Sequence, residues 1–288
     1  MIFLKLIRFD NWIKNLLIFF PLFFSGKFLD LNNIISTLIV FFGFSLIASS
    51  VYILNDIFDK DFDRIHPQKK GRPIASGQIS IRSSVILMTL ILIVGMILIG
   101  RQSYICLFYC LIYFALNILY SSILKKLPII DFVIISIGFV LRLFIGGEIS
   151  STELSNWIII MVFLVSIFIA LCKRRDDVYN YESKNLVYRD VVKEYNLVYI
   201  DKCINIISSV LLVSYLLFIT SPEILSKYNS PRLLIFSFMI VLIGILRFNH
   251  LTYVYKKSGS PIKIFFSDRY TQIIIIIWVV IYSYIIYF

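Results

Sequence analysis

Long runs of apolar residues constrain the fold of this sequence more than any other feature. A helix that crosses the hydrocarbon core of a bilayer needs roughly 20 consecutive apolar residues. Nine runs of suitable length and composition lie at about 13–29, 34–54, 83–100, 103–121, 129–149, 155–172, 203–221, 232–250 and 270–288. The pattern predicts an all-α polytopic membrane protein that forms a single domain over residues 1–288.

The composition agrees with this prediction. Of the 288 residues, 59% are hydrophobic and 16% are charged, whereas soluble domains carry roughly a quarter charged residues. These values exclude a soluble enzyme, a disordered chain and a small secreted module held by disulfides. The first run is the least regular, because Lys14 and Asn15 lie near its start and Pro21 is expected to kink it. The segment from Ile2 to Ile7 is too short and too charged for a signal sequence, so we expect no cleaved signal peptide.

The basic residues are distributed asymmetrically between the two sets of connections. In a soluble chain the net charge of +11 would suggest nucleic-acid binding. Here 23 of the 28 Lys and Arg residues lie at the N-terminus, at Lys125–Lys126 and in segments 55–82, 173–202 and 247–269, and four lie in the other connections. The positive-inside rule therefore places the N-terminus and these loops in the cytoplasm. We expect no nucleic-acid partner. The high Ile, Phe, Lys and Asn content indicates an AT-rich bacterial genome, so the expected location of this membrane protein is a bacterial inner (plasma) membrane.

The densest polar stretch follows the second apolar run and contains three acids. Asp56, Asp59 and Asp63 are spaced by three and four residues, which places them on one face of a helix, with Asn55 beside them. Mg²⁺ is usually held by one or two carboxylates together with substrate phosphates. Residue types that bind phosphate follow directly, at His66, Lys69, Lys70 and Arg72. The order of acids and then bases predicts a magnesium–diphosphate site.

The alternative for this stretch is a solvated helix end whose acids pair with Lys60 and Arg64. Two features favour the metal site. The cluster lies at the membrane surface, where unpaired charge is costly. Arg72-Pro73 followed by Gly77 also indicates a shaped loop rather than a frayed linker.

Further polar residues lie at the membrane edges. Lys173 and Arg174 form either a phosphate clamp or interfacial anchors. Asp176 or Asp177 supplies either a second metal site or a local ion pair. Lys14 begins the first run, where it would be placed to contact a lipid phosphate.

Arg142 is the one cation that the sequence places deep inside an apolar run. An intramembrane ion is a functional candidate by default. Arg142 is therefore expected either to contact substrate or to pair with Asp131, with Glu148 or with a residue of another helix.

The acidic stretch resembles the signature of the UbiA superfamily of intramembrane prenyltransferases, NDxxDxxxD followed by RPxxxG. The matching residues are Asn55, Asp56, Asp59, Asp63, Arg72, Pro73 and Gly77. The resemblance covers essentially the whole chain. It implies nine transmembrane helices around a central cavity that opens to the cytoplasmic side.

Other features resemble the branch of this superfamily that transfers phosphoribose to decaprenyl phosphate. They are Arg8 to Asn15, His66-Pro67 with Lys69, Tyr120-Ser121-Ser122 with Lys125, and the basic run Lys173-Arg174-Arg175. The branch implies a Mg²⁺-dependent enzyme that moves 5-phosphoribose from 5-phosphoribosyl 1-diphosphate to a polyprenyl phosphate and releases diphosphate. The product would be a lipid-linked pentose precursor of cell-envelope glycan.

The resemblance and the residue types together assign roles. Asp56, Asp59 and Asp63 are the expected catalytic residues and metal ligands, and Asp177 is the expected ligand of a second metal site. The expected substrate-binding residues are Lys14, Asn55, His66, Lys69, Arg72, Tyr120, Lys125, Arg142, Lys173 and Arg174.

Two rival functions remain open. The enzymatic one is transfer of a prenyl group from prenyl diphosphate to an aromatic or other acceptor, which would need fewer cations than a reaction with three phosphate groups. The other is a transporter or channel, which would predict ionisable residues at mid-membrane depth in several spans.

Overall fold

Helices account for every regular element in the residues that the structure, a computed structural model, describes. These are residues 2–65, 69–184, 190–228, 230–256, 264 and 266–288. The chain divides into two units, Met1–Leu154 and Ser155–Phe288, each with its own internal packing.

The first unit contains seven α-helices among its described residues. They are α1 (Ile2–Leu6), α2 (Phe20–Phe24), α3 (Leu31–Phe58), α4 (Lys60–Ile65), α5 (Ile81–Gly100), α6 (Tyr104–Ser122) and α7 (Ile130–Ile149). Segments of 3₁₀ helix cover Phe9–Phe19, Lys27–Leu29 and Leu124–Lys126.

The second unit contains five α-helices among its described residues. They are α8 (Asn156–Lys184), α9 (Leu197–Thr220), α10 (Pro222–Lys227), α11 (Pro231–Tyr253) and α12 (Arg269–Tyr287), with a 3₁₀ helix at Asp190–Glu194. A buried polar cluster joins three of these helices. The hydroxyl of Tyr215 in α9 lies 2.8 Å from the Oγ of Ser237 in α11 and 2.9 Å from the hydroxyl of Tyr282 in α12.

Eight helices in the described part of the chain are long and apolar enough to cross a membrane: α3, α5, α6, α7, α8, α9, α11 and α12. They coincide with eight of the nine predicted runs, because hydropathy over about 20 residues is the property that a bilayer selects. The protein is a multi-pass membrane protein.

The first predicted span, 13–29, is not a continuous α-helix. Its chain forms the 3₁₀ helix Phe9–Phe19 and then α2, which carries Pro21 in its first turn. A proline lacks the backbone N–H that an α-helix interior requires, so it is tolerated where a new helix begins. The polar side chains of this segment also bond to α3, which holds the segment against that helix.

This first segment nevertheless lies beside α3. In the middle part of α3, Trp12 donates to the Oγ of Ser49 across 3.0 Å, and Asn15 donates to the Oγ of Ser45 across 2.9 Å. Asp30 caps the start of α3 by accepting from a backbone N–H of its first turn. The stretch of α3 from Leu31 to Ser49 rises about 27 Å at 1.5 Å per residue. The first segment therefore lies along about two thirds of α3.

Two close helix contacts depend on glycine. A Cβ on Gly95 of α5 would lie 2.7 Å from the carbonyl oxygen of Gly43 in α3. A Cβ on Gly146 of α7 would overlap the carbonyl oxygen of Ile18 in the first segment. The second contact lets the backbone of the first segment lie directly on α7, as small residues do at helix contacts in membranes.

Candidate functional site

The helix that carries the three acids of the motif is interrupted at Asp59, the second of them. Helix α3 ends at Phe58 and α4 begins at Lys60, so that Asp59 lies between them. The side chains of Asp56 and Asp63 are 2% exposed, whereas that of Asp59 is 34% exposed. The spacing predicted three acids on one face of a helix, but only Asp56 and Asp63 face the same point. The break turns Asp59 towards a different partner.

Arg72 joins the two buried acids. Its Nη1 lies 3.0 Å from Oδ1 of Asp56 and 2.5 Å from Oδ2 of Asp63. The Nζ of Lys69 lies 4.0 Å from the other oxygen of Asp63. Burial lowers the pKa of the Arg72 guanidinium below its usual value, and the charge of Arg8 acts in the same direction. The environment of Arg72 is therefore crowded with cations as well as acids.

The loop that carries Arg72 has a defined shape. The backbone N–H of Ile79 donates to the carbonyl of Pro73 across 3.1 Å, and Gly77 has a φ of 76°, which favours glycine. Ile74 is 1% exposed and packs with Leu6 of α1 and Ile53 of α3. This apolar anchor holds the loop beside α3, as the RP-x-x-x-G spacing predicted for a shaped loop.

Arg8 also belongs to the site, although the sequence motifs did not predict it as a site residue. Its Nη2 donates to Oδ1 of Asp56, the same oxygen that Arg72 reaches. Its guanidinium lies 5.2 Å from the ring centre of Tyr52 on the preceding turn of α3. The available signal was the spacing of Arg8 from Trp12 and Lys14, but spacing alone did not show which acid Arg8 would meet.

Asp59 pairs with Lys125, which lies in the 3₁₀ helix Leu124–Lys126 that follows α6. The Nζ of Lys125 lies 2.5 Å from Oδ1 of Asp59. On the adjoining turn of α6, Ser121 donates to the amide oxygen of Asn55. Tyr120 lies beside Ser121 and is half-buried. The structure thus brings the expected residues Asn55, Asp59 and Lys125 together. The expected alternative, in which Lys60 and Arg64 neutralise the three acids, is not the arrangement found.

Arg142 is buried in α7 and is held by dipoles and aromatic rings. It donates to Oδ1 of Asn15 across 2.8 Å and to the carbonyl of Gly138 across 2.6 Å. It also donates to the hydroxyl of Tyr113 across 3.3 Å, and it lies 4.8 Å from the ring centre of Phe44. The sequence suggested Asp131, Glu148 or a residue of another helix as the partner of Arg142. The structure shows a residue of another segment, Asn15. Lys14 lies next to Asn15 in the first segment.

The basic run of the second unit divides into two roles. Arg174 is 4% exposed and donates to Oδ2 of Asp177 across 2.7 Å, which is the local ion pair considered as an alternative to a metal site. Arg175 donates to Oδ1 of Asp201 across 2.7 Å and to the carbonyl of Thr252 across 3.1 Å, which ties α8 to α9 and α11. Lys173 is exposed. His66 lies outside the described residues.

The donor set of the first unit fits a hard divalent cation bound with a phosphate ligand. In the described ranges, no three acidic, His or Cys side chains form a group that could hold a metal ion alone. Two buried carboxylates, those of Asp56 and Asp63, face one point, and the amide oxygen of Asn55 lies on the same turn of α3 as Asp56. Mg²⁺ needs only one or two protein carboxylates when substrate phosphates complete its shell.

Comparisons with known proteins identify the family of this chain. Residues 17–272 match the model of the UbiA prenyltransferase family. The chain is 28% identical to the decaprenyl-phosphate phosphoribosyltransferase of Corynebacterium glutamicum, over 96% of this chain and 84% of that one. It is 27% identical to the protein of the same name from Mycolicibacterium smegmatis, over 96% and 89%.

A solved structure shows the same fold. It is a UbiA homolog from Archaeoglobus fulgidus bound to GPP and Mg²⁺, which is 18% identical, covers 100% of this chain and 99% of its own, and has a TM-score of 0.73. Because the family match extends over most of the sequence and includes the acidic stretch, the chain belongs to the UbiA prenyltransferase family.

Proposed function

We propose that this enzyme transfers 5-phosphoribose from 5-phosphoribosyl 1-diphosphate to a polyprenyl phosphate and releases diphosphate. One observation carries the proposal: four cations surround three acids at the end of α3. They are Arg8, Lys69, Arg72 and Lys125. Two phosphate groups on the donor and one on the lipid supply the negative charge that such a site would bind. The two relatives that align with 96% of the chain carry the name of this activity.

Asp56 and Asp63 are the residues proposed to hold Mg²⁺, with Asp59 and Asn55 beside them. The homolog bound to GPP and Mg²⁺ shares the fold, which supports a divalent metal in this family. When bound, the metal would stabilise the charge that develops on the leaving diphosphate. Asp177 of the second unit is proposed as a ligand of a second metal site.

The cations bind and orient the phosphate groups. Arg72, Lys69 and Lys125 are positioned to take diphosphate oxygens in exchange for the carboxylates that they now contact. Lys14 and Arg142 are the proposed contacts of the lipid phosphate. Further proposed substrate-binding residues are Asn55, His66, Tyr120, Lys173 and Arg174.

The reaction is a single displacement. A phosphate oxygen of the lipid forms a bond to the anomeric carbon, and the bond from that carbon to the diphosphate oxygen breaks. A phosphate monoester is already an anion near neutral pH, so no general base has to remove a proton. The contributions of the protein are positioning and charge stabilisation. A single displacement inverts the anomeric configuration.

The site is proposed to face the cytoplasm of a bacterial inner membrane. The first segment lies along α3 and is proposed to provide a ninth crossing, with which the N-terminus and the basic loops would lie on one side. Residues 1–288 are proposed to form a single UbiA-like domain, since the family match extends from residue 17 to 272. The product would be a lipid-linked pentose for cell-envelope glycan.

The test uses purified protein, Mg²⁺, donor labelled in the ribose and a polyprenyl phosphate. Label should move into the organic phase and should stay in the aqueous phase when the lipid phosphate is omitted. A parallel reaction with a prenyl diphosphate and an aromatic acid tests the rival prenyl transfer. Product in the second reaction alone would overturn the proposal.

A further inference from the structure

One oxygen of a buried carboxylate accepts from two arginines. Oδ1 of Asp56 lies 3.0 Å from Nη1 of Arg72 and also accepts from Nη2 of Arg8. Asp56 is 2% exposed, whereas the arginine side chains are 22% and 26% exposed. An oxygen that is enclosed by two guanidinium groups is not available to ligate a metal ion. The arginines therefore occupy one of the two oxygens through which Asp56 could ligate a metal ion.

The backbone of Arg8 is in an unfavourable conformation. Its φ is 51° and its ψ is 52°, in the left-handed region that non-glycine residues avoid. Local hydrogen bonds hold it there: Arg8 N–H donates to the carbonyl of Lys5 across 3.2 Å, and Asn11 N–H donates to the carbonyl of Arg8 across 2.8 Å. The Oγ of Ser49 also donates to the carbonyl of Ile7 across 2.8 Å. Such conformations persist where the surrounding structure enforces them, and they concentrate at functional sites.

We propose that Arg8 is an exchangeable counter-ion, which neutralises Asp56 before the donor arrives and then moves to a diphosphate oxygen. The inference rests on the proposed function for the identity of the anion. A guanidinium group binds carboxylate and phosphate oxygens with the same paired geometry, so the exchange replaces one charge-assisted hydrogen bond with another. Arg8 therefore makes metal binding and diphosphate binding depend on each other.

The sign of this coupling follows from the charges. A divalent cation that binds alone through Oδ1 of Asp56 must displace Arg8 and then remain close to both arginines, which is unfavourable. Diphosphate supplies oxygens for the displaced guanidinium groups, so the cation binds more tightly in its presence. Removal of Arg8 should strengthen the binding of the cation alone and weaken the binding of diphosphate. General damage to the site would weaken both.

The experiment uses the purified full-length protein, with Mn²⁺ as the metal probe and inorganic pyrophosphate as the anion. The signal of free Mn²⁺ in electron paramagnetic resonance gives the affinity for the metal alone. Retention of ³²P-pyrophosphate by the protein in excess Mn²⁺ gives the affinity for the anion. The variants are Arg8→Gln and Arg8→Lys, and Arg82→Gln at the exposed start of α5 is the matched control.

For Arg8→Gln we expect Mn²⁺ alone to bind about threefold more tightly and pyrophosphate about tenfold more weakly, the second factor being typical of a lost charge-assisted hydrogen bond. Arg8→Lys keeps the charge without the paired donors, so its values should lie between those of the wild type and Arg8→Gln. Arg82→Gln should match the wild type. If Arg8→Gln does not fold, Arg8→Lys tests the proposal alone. Tighter binding of Mn²⁺ and weaker binding of pyrophosphate than in the wild type then support the proposal.

Two results would overturn the inference, and they differ in what they imply. If wild-type protein binds both probes but the Arg8 variants change both affinities in the same direction or neither, Arg8 is not an exchangeable counter-ion and the proposed function is untouched. If wild-type protein binds neither probe, the diphosphate site itself is absent and the proposed function is overturned as well.

Discussion

The Nε of Arg142 lies 2.8 Å from the amide oxygen of Asn15, although the two residues are 127 positions apart in the sequence. Asn15 also donates to Ser45 of α3 across 2.9 Å. One buried amide thus connects the first segment to both α3 and α7. The guanidinium of Arg142 is surrounded by the rings of Phe44 and Tyr113, whose faces stabilise a cation. These contacts make Arg142 part of the packing of the first unit as well as a proposed ligand of the lipid phosphate.

Replacement of Arg142 by methionine should therefore lower stability. It leaves the amide oxygen of Asn15 without its donor and removes the ring contacts, which together cost about 2–4 kcal/mol. The measurement is the thermal unfolding midpoint in detergent, compared with Arg101→Met at the exposed end of α5. Equal midpoints for the two variants would show that the packing role is wrong.

The two buried acids should be the most sensitive positions for catalysis. Asp56→Asn and Asp63→Asn each remove a charge from the proposed metal site, and we expect kcat to fall about 100-fold or more, as for loss of a group that stabilises transition-state charge. Asp61→Asn is the matched control, because Asp61 lies between the acids of the motif and its side chain is 91% exposed. Chelation of divalent metal should abolish wild-type turnover. Near-normal turnover of either buried variant at saturating Mg²⁺ would contradict the metal assignment.

Asp59 and Lys125 should have smaller effects, because their ion pair is more exposed. Lys125→Met removes one cation from the donor site, so the KM for the donor should rise about tenfold with a smaller change in kcat. Lys126→Met alters the adjacent exposed lysine and should leave the KM unchanged. Asp59→Asn should reduce turnover, but by less than Asp56→Asn. A loss equal to that of Asp56→Asn would mean that Asp59 reaches the metal in the bound state.

Gly146→Ala should disrupt the attachment of the first segment. A Cβ there would overlap the carbonyl oxygen of Ile18, a backbone atom that has no rotamer with which to move aside. We expect the folded yield to fall sharply. Gly138→Ala on the same helix is the control, since its Cβ would meet Tyr113 at an ordinary 3.5 Å and alanine favours a helix over glycine by about 1 kcal/mol. Equal yields of the two variants would contradict the close contact.

The second unit has a pH-dependent ion pair. Arg247 donates to Asp268 across 2.6 Å, and Asp268 also caps α12 by accepting from the N–H of Thr271 across 2.9 Å. The hydrogen bond from Arg247 holds the pKa of Asp268 below its usual range, and the bonds from Thr271 act in the same direction. Because the folded pKa is depressed, the stabilisation is present above the unfolded pKa of about 4 and is lost as the pH falls below it.

Two variants separate the pair from the cap. Asp268→Asn keeps a capping side chain and loses the charge, whereas Asp268→Ala loses both, so the second should be less stable by about 1 kcal/mol. The midpoint of unfolding of Asp268→Asn should depend less on pH below about 4 than that of the wild type. A parallel pH dependence would exclude Asp268 as the titrating group.

The sequence by itself determined the spans and the composition of the acidic stretch. Each span must be apolar over about 20 residues because the bilayer demands it, and α5, α6 and α7 accordingly begin and end close to the predicted limits. Helix α8 instead continues through the charged residues after its predicted end to Lys184, and α9 begins at Leu197, before its predicted start. The RP-x-x-x-G loop was also predictable, since a proline and a glycine restrict the backbone locally. The spans and this loop depend on residues that are close together in the sequence, so a sequence pattern predicts them directly.

Only the tertiary structure decided which charges meet. Arg8 reaches Asp56 across 48 positions, and Lys125 reaches Asp59 across 66. The partners of Asp59 and of the first segment likewise lie on other parts of the chain, at Lys125 and on α3. Ion pairing and close backbone contact depend on which helices pack together and at what height, and no local period in the sequence encodes that choice.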